Sequence, residues 1–274
     1  LAVYDVPPTA WSELARRLSG QLLRPGATNW SRIVTPNNLV FNTAFPAGVA
    51  RCVSPNDVAQ SVLWAREYRV PFVARCGGHS YAGYSTTPGL MIDLGGLNRV
   101  DFDPATRVAT VGGGVINSTL YAALQRHGVT ITHGRCPTVG VGGFFLGGGI
   151  GFNMRAHGLA CDLLRATQIV TADGRVQTVD GSSELFWACR GGAGGNFGIN
   201  TSFSVQTFNV PAQLKDSAPR NPEVTVVLTT DPKVSAMGRV REASPRADPV
   251  TGTFQVRIGL IDPPAGLRLG STVT

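Results

Sequence analysis

Glycine gathers in two stretches of this sequence, residues 134–151 and 191–198, and that clustering restricts the fold more than any other feature. The chain carries 34 glycines in 274 residues, well above the usual share of about 7%. Spread evenly, such an excess would point to a fibre. Gathered, it points to main chain brought close to a partner, because only glycine leaves the backbone bare. A membrane helix is the competing reading. The nineteen residues between Arg135 and Arg155 carry no charge, and Gly143, Gly147 and Gly151 stand at GxxxG spacing. Seven of the nineteen are glycine, and each costs a helix about 1 kcal/mol relative to alanine. Pro137, Thr138 and Asn153 weaken the helix further, which argues against a membrane span.

The length suffices for a full core and one or two domains. With 43% hydrophobic and 15% charged residues, the composition is globular. The net charge of +7 is almost all arginine: Lys215 and Lys233 are the only lysines, and only Arg16-Arg17 are adjacent. Such scatter lacks the basic runs with interleaved aromatics of a nucleic-acid-binding face; it suits a protein that attracts anionic ligands. Five cysteines, Cys52, Cys76, Cys136, Cys161 and Cys189, are too few and too dispersed for a disulfide scaffold. The chain opens at Leu1, which leaves a cleaved export signal and a trimmed start both open, export being favoured. Asn29, Asn117 and Asn200 open glycosylation sequons, which matter only on a eukaryotic secretory route.

Ser54-Pro55-Asn56-Asp57 is a helix start, with serine as cap, proline at the first position and an acid at the third. That helix should run to about Tyr68. Apolar runs at 70–75 and 90–94 read as buried strands, and 107–111 alternates like one. A helix is expected from Asn117 to a stop at Gly128, and a hairpin over 164–179 turning at Asp173-Gly174. Ser182 or Ser183 caps a short helix through Trp187, and 202–210 alternates cleanly. Residues 212–222 are polar and proline-bearing, a domain boundary. Beyond them only 224–228 and 254–260 read as strands, with a turn at Asp262-Pro263-Pro264.

There is no strict G-x-G-x-x-G and no phosphate-loop motif, so a Rossmann site lacks its fingerprint. Arg75-Cys-Gly-Gly-His-Ser80 follows a strand, however, and successive amides in such a turn form a nest for a pyrophosphate. The runs Gly140-Val-Gly-Gly143 and Gly147-Gly-Gly-Ile-Gly151 would let a flat or anionic cofactor lie against main chain. His79 follows the double glycine, and Cys136 precedes the second cluster with Arg135 and His133 near it to favour the thiolate. By themselves a lone histidine is more often a structural hydrogen-bonder and a lone cysteine an inert core residue. His133-x-x-Cys136 and His157-x-x-x-Cys161 have zinc-like spacing, but the long apolar glycine stretch between them serves no zinc site.

Five ordered motifs decide between these readings. Phe72-Val-Ala-Arg-Cys-Gly-Gly-His-Ser-Tyr81 comes first, then Gly134-Arg-Cys-Pro-Thr-Val-Gly-Val-Gly-Gly143 with Leu146-Gly-Gly-Gly-Ile-Gly151. His157-Gly-Leu-Ala-Cys-Asp162, Val170-Thr-Ala-Asp-Gly174 and Glu184-Leu-Phe-Trp-Ala-Cys-Arg-Gly-Gly192 follow, the last leading to Gly195-Asn-Phe-Gly-Ile199. In this order, over residues 40–210, the chain resembles the berberine-bridge-enzyme-like branch of the vanillyl-alcohol-oxidase/p-cresol-methylhydroxylase flavoproteins.

The resemblance implies an α+β fold: a p-cresol-methylhydroxylase-type FAD-binding domain of two subdomains over 1–211, followed by part of an antiparallel-sheet substrate domain over 212–274. It implies FAD held by two covalent bonds, from His79 to the 8α-methyl and from Cys136 to flavin C6, which goes with a high redox potential. Arg75, Cys76, Gly77, Gly78, Ser80, Tyr81, Thr138, Val139, Gly140, Gly142, Gly143, Gly195, Gly198 and Ile199 would surround the cofactor, largely through main-chain N–H groups. Val139 matches the family's oxygen-gate position, where valine goes with oxidase behaviour, so O2 is the expected acceptor and hydrogen peroxide the product. The substrate would be a small molecule, a carbohydrate, alkaloid or other natural product, oxidised at an alcohol, hemiacetal or amine C–H by hydride transfer to flavin N5. A dehydrogenase or oxidative cyclase on the same scaffold, or a flavin-binding protein without turnover, are the alternatives. No catalytic residue is assigned: family members take their base from a later region, so a longer chain or a second polypeptide would supply it. Tyr81, Tyr84 and His133 could line the substrate side.

Overall fold

The structure is a computed structural model and describes residues 6–43, 45–210, 223–228, 230–247, 254–261 and 264. The chain divides into two compact units, Leu1–Val210 and Pro211–Thr274. Among the described residues no helix is long and apolar enough to cross a membrane.

The first half of the larger unit comprises α1 (Pro8–Arg17), β1 (Gln21–Leu23), α2 (Trp30–Val34), β2 (Gly48–Arg51), α3 (Pro55–Glu67), β3 (Phe72–Arg75) and β4 (Leu90–Asp93). Its sheet has the order β1-β2-β4-β3, with β2, β4 and β3 parallel and β1 antiparallel at the edge. Helix α3 begins where Ser54 and Asp57 form the expected reciprocal capping box. Asp57 does more than cap. Its carboxylate, with no exposed surface, accepts N–H groups from Ser19 at 2.8 Å, Gly20 at 3.2 Å, Val53 at 2.9 Å and Ser54 at 3.2 Å. The α1–β1 link, the end of β2 and the start of α3 therefore converge on one side chain. Val58, Val62, Trp64 and Ala65 point inward from α3, and Trp64 Nε1 donates to the Ala10 carbonyl at 2.9 Å. Strand β4 is buried on both faces through Leu90, Met91 and Ile92, which is why it reads as a continuous apolar run.

The second half holds β5 (Val100–Asp103), β6 (Val108–Gly112), α4 (Asn117–Gln125), β7 (Val129–Thr130), α5 (Val141–Leu146), α6 (Met154–His157), β8 (Leu164–Val170), β9 (Val176–Asp180), α7 (Glu184–Ala188), β10 (Ile199–Gln206) and β11 (Phe208–Asn209). Five of its strands form an antiparallel sheet in the order β5-β6-β10-β8-β9, and β7 pairs with β11. Val111, Leu120, Leu124, Phe145 and Phe203 pack as its core. The predicted hairpin is β8–β9, turning where Gly174 takes φ +80°. Ser183 caps α7, as one of the two serines was expected to. Strand β10 begins three residues before its alternating stretch because Ile199 already pairs with Val170.

In the smaller unit, β12 (Glu223–Leu228), β13 (Asp231–Ala247) and β14 (Phe254–Ile261) form an antiparallel sheet with β13 in the middle. Only β12 and β14 were expected. Pro232, Pro245 and the charges of Arg239, Arg241 and Glu242 mask β13 in the sequence, although 233–241 does alternate. The polar boundary at 212–222, and Asp262 and Pro263 of the expected turn, lie outside the described residues.

Candidate functional site

The first loop of the site leaves β3 at Arg75. Arg75 is only 8% exposed, and its guanidinium turns inward: it donates to the Val34 carbonyl at 2.9 Å and to the Thr35 carbonyl, at the end of α2. The Arg75 side chain thus braces the loop from behind, which leaves its main chain for a cofactor. Cys76 is also turned in. Its Sγ donates to the Val115 carbonyl at 3.3 Å, and burial pushes the thiol up to about 11, so it stays protonated. Gly78 then takes φ +70°, and the amides of Gly78, His79 and Ser80 reach no acceptor among the described residues. Consecutive free amides on such a turn make an anion nest. The Ser80 hydroxyl accepts the Tyr84 amide at 3.1 Å and closes the following turn. Tyr81 and Tyr84 stand 90% and 78% exposed beside it.

The second loop, 134–140, is pinned to the start of α4. Asn117 N–H donates to the Val139 carbonyl at 2.9 Å and Asn117 Nδ2 to the Cys136 carbonyl at 3.1 Å, while Ser118 N–H donates to the Pro137 carbonyl at 2.9 Å. Asn117 is fully buried and Asn200 is 4% exposed, so neither sequon side chain is open to modification in the folded chain. Two glycines let the loops touch. A Cβ on Gly140 would fall 2.3 Å from Cys76 Sγ and 2.4 Å from the Gly77 nitrogen; one on Gly77 would fall 2.4 Å from the Gly140 nitrogen. Those separations exclude any side chain at the seam. Gly142 lies against the Gly113 carbonyl, whereas Gly143 and Gly195 face open space that a ligand could fill. Gly198, at φ +143°, abuts the Val170 carbonyl, and the side chain of Ile199 joins the core, which leaves these two their main chain for a cofactor.

His79 and Cys136 meet at Thr138. The Thr138 Oγ1 lies 2.9 Å from His79 Nε2 and 3.5 Å from Cys136 Sγ. Hydrogen bonds from the Thr138 side chain and then from loop amides hold the Cys136 thiol below its usual value, and partial burial lowers that of His79. Both shifts run toward the nucleophilic forms, the neutral imidazole and the thiolate. The sequence pointed to Arg135 and His133 for that effect. Both are otherwise engaged: the His133 ring packs 5.1 Å from Tyr121, and Arg135 sits over Phe152. From the sequence Thr138 is one lining residue among several. Its bridging position depends on the seam, which no local pattern reveals. His157 stacks on Phe208 at 3.6 Å, and no group of three or more His, Cys, Asp or Glu gathers among the described residues.

Two nucleophiles on one hydroxyl, a nest of free amides and glycine faces without neighbours fit an extended anionic cofactor with a planar ring. Comparison with known proteins agrees. Residues 46–180 match the FAD binding domain family. The FAD-linked oxidoreductase pynB of Aspergillus niger is 38% identical over 213 residues, 73% of this chain and 39% of the relative. A berberine-bridge-enzyme-like protein of Physcomitrella patens superposes with a TM-score of 0.69 and 31% identity, over 79% of this chain and 46% of that one. Glucooligosaccharide oxidase of Acremonium strictum, described with a 6-S-cysteinyl, 8α-N1-histidyl FAD, gives 0.68 and 33%, over 74% of this chain and 43% of that one. The chain thus spans less than half the length of these relatives.

Fold and site together define an FAD-binding protein of the p-cresol-methylhydroxylase type. Within that class the chain is similar to the berberine-bridge-enzyme-like FAD-linked oxidoreductases.

Proposed function

We propose that this chain is the flavin-carrying part of an FAD-linked oxidase whose cofactor is bonded to both His79 and Cys136. The observation that carries the reading is the single Thr138 hydroxyl within reach of both side chains. The amides of Gly78, His79 and Ser80 would hold the pyrophosphate, and the bare main chain at Gly143 and Gly195 would lie against the rest of the cofactor. FAD held there would supply a hydride acceptor for an alcohol, hemiacetal or amine carbon of a small natural product, of which a carbohydrate is one class. The sugar oxidase among the relatives supports that class. No side chain of the described residues is assigned as the base. A visible spectrum taken before and after acid precipitation tests the reading. Yellow colour that stays in the pellet supports it, colour freed to the supernatant removes the covalent bonds, and a colourless protein removes the flavin.

Val139 is half-buried in the Cys136 loop, its amide donating to the Cys136 carbonyl at 3.4 Å and its carbonyl held by Asn117. We assign it the oxygen gate, and O2 the role of acceptor. Val139→Leu narrows the opening by one methylene on a clamped backbone and should slow reoxidation of the reduced flavin at least about tenfold. Rapid mixing of reduced protein with air-saturated buffer reads this; an unchanged rate removes Val139 from the gate.

A further inference from the structure

A hydroxyl has one hydrogen to give and two lone pairs with which to accept. Once Cys136 is a thiolate, that inventory leaves one direction for the hydrogen bonds around Thr138. A thiolate can only accept, so an ionised Cys136 Sγ, at 3.5 Å, takes the Thr138 hydrogen. The oxygen must then accept from its other neighbour, His79 Nε2 at 2.9 Å. With Nε2 carrying the hydrogen, the neutral ring presents its lone pair at Nδ1. We propose that Thr138 is the positioning residue for flavin attachment: it donates to Cys136 Sγ, accepts from His79 Nε2–H, and so makes His79 Nδ1 the atom that bonds the cofactor.

The inference rests on the proposed function for its cofactor and adds a relay of protons to it. Each attachment replaces one C–H of the flavin and one N–H or S–H of the protein; the two electrons and two protons pass to O2 as hydrogen peroxide. When His79 bonds through Nδ1, the proton that must leave is the one on Nε2, and Thr138 is its neighbour. It can pass to Oγ1 while the hydroxyl proton moves on to Sγ, and the exposed Cys136 returns it to water. The chain prepares the site for this. Asn117 grips the carbonyls on both sides of Thr138, those of Cys136 and Val139, and the Gly77–Gly140 seam sets the distance to His79. The same Thr138 hydrogen bond is the first cause that lowers the Cys136 thiol from its usual value.

Thr138→Val keeps the shape of the side chain and removes the hydroxyl, and Thr138→Ser restores it; matching thermal unfolding shows that both fold. In protein made flavin-free in a riboflavin-starved host, iodoacetamide labelling of Cys136 at pH 7 should slow about tenfold in Thr138→Val and recover in Thr138→Ser. The nitrogen-15 shifts of His79 should show Nε2–H in the parent and a tautomer mixture in Thr138→Val. With FAD added, peptide masses should show both bonds forming about tenfold more slowly in Thr138→Val. Labelling and attachment rates in Thr138→Val equal to the parent would overturn the inference. A parent chain that binds no flavin would instead remove the proposed function, and the labelling rate would still decide the role of Thr138.

Discussion

The double variant His79→Ala/Cys136→Ala is expected to release all of its flavin on acid precipitation, while each single variant keeps yellow colour in the pellet. Denaturation destroys the nest, the glycine walls and every hydrogen bond, so only a covalent bond survives it. Both side chains face the same hydroxyl from different loops, His79 from the turn after β3 and Cys136 from the turn before α5. Either alone can hold the ring. Peptide masses place the remaining bond: flavin on the peptide of Cys136 in His79→Ala, and on that of His79 in Cys136→Ala. Colour in the pellet of the double variant would show a third attachment and would contradict the assignment of both.

Asp57→Ala should cost about 4 kcal/mol of folding stability, because it removes one buried charged acceptor from four N–H groups at once. The carboxylate takes four N–H groups from three segments, and it is fully buried. The loss combines a helix cap with the joint that holds the α1–β1 link to the end of β2. Asp57→Asn, which keeps one acceptor oxygen, should lose less. Urea unfolding followed by tryptophan emission reads both, since the tilted rings of Trp11 and Trp64, 4.5 Å apart, lie in the core that α3 packs on. A midpoint for Asp57→Ala within error of the parent would refute it.

Much of this molecule was legible where one local pattern had a single physical solution. The Ser54–Asp57 box starts α3, the apolar run at 90–94 is β4, and Asp173-Gly174 turns the β8–β9 hairpin. Strand β13 escaped because prolines and charges interrupt a pattern that pairing on both sides sustains. The site shows the same division. His79, Cys136 and the glycines stand out as motifs. The inward turn of Arg75, by contrast, answers to the carbonyls at the end of α2, some forty residues earlier. Thr138 bridges two side chains only because Gly77 and Gly140 bring distant main chain into contact. Such relations exist only after the chain has closed on itself.

The placement of the two nucleophiles on separate loops has a topological result. His79 lies in the connection between β3 and β4 of the four-stranded sheet, and Cys136 lies within the half built on the five-stranded one. A ring bonded to both becomes a cross-link through the protein, closing a loop of roughly 60 residues as a disulfide would. In the chain-entropy picture such a closure restricts the unfolded state by on the order of 4 kcal/mol. The cofactor would then act as a staple as well as a reagent, and cutting one of its two bonds would loosen the denatured chain while leaving the native contacts unchanged.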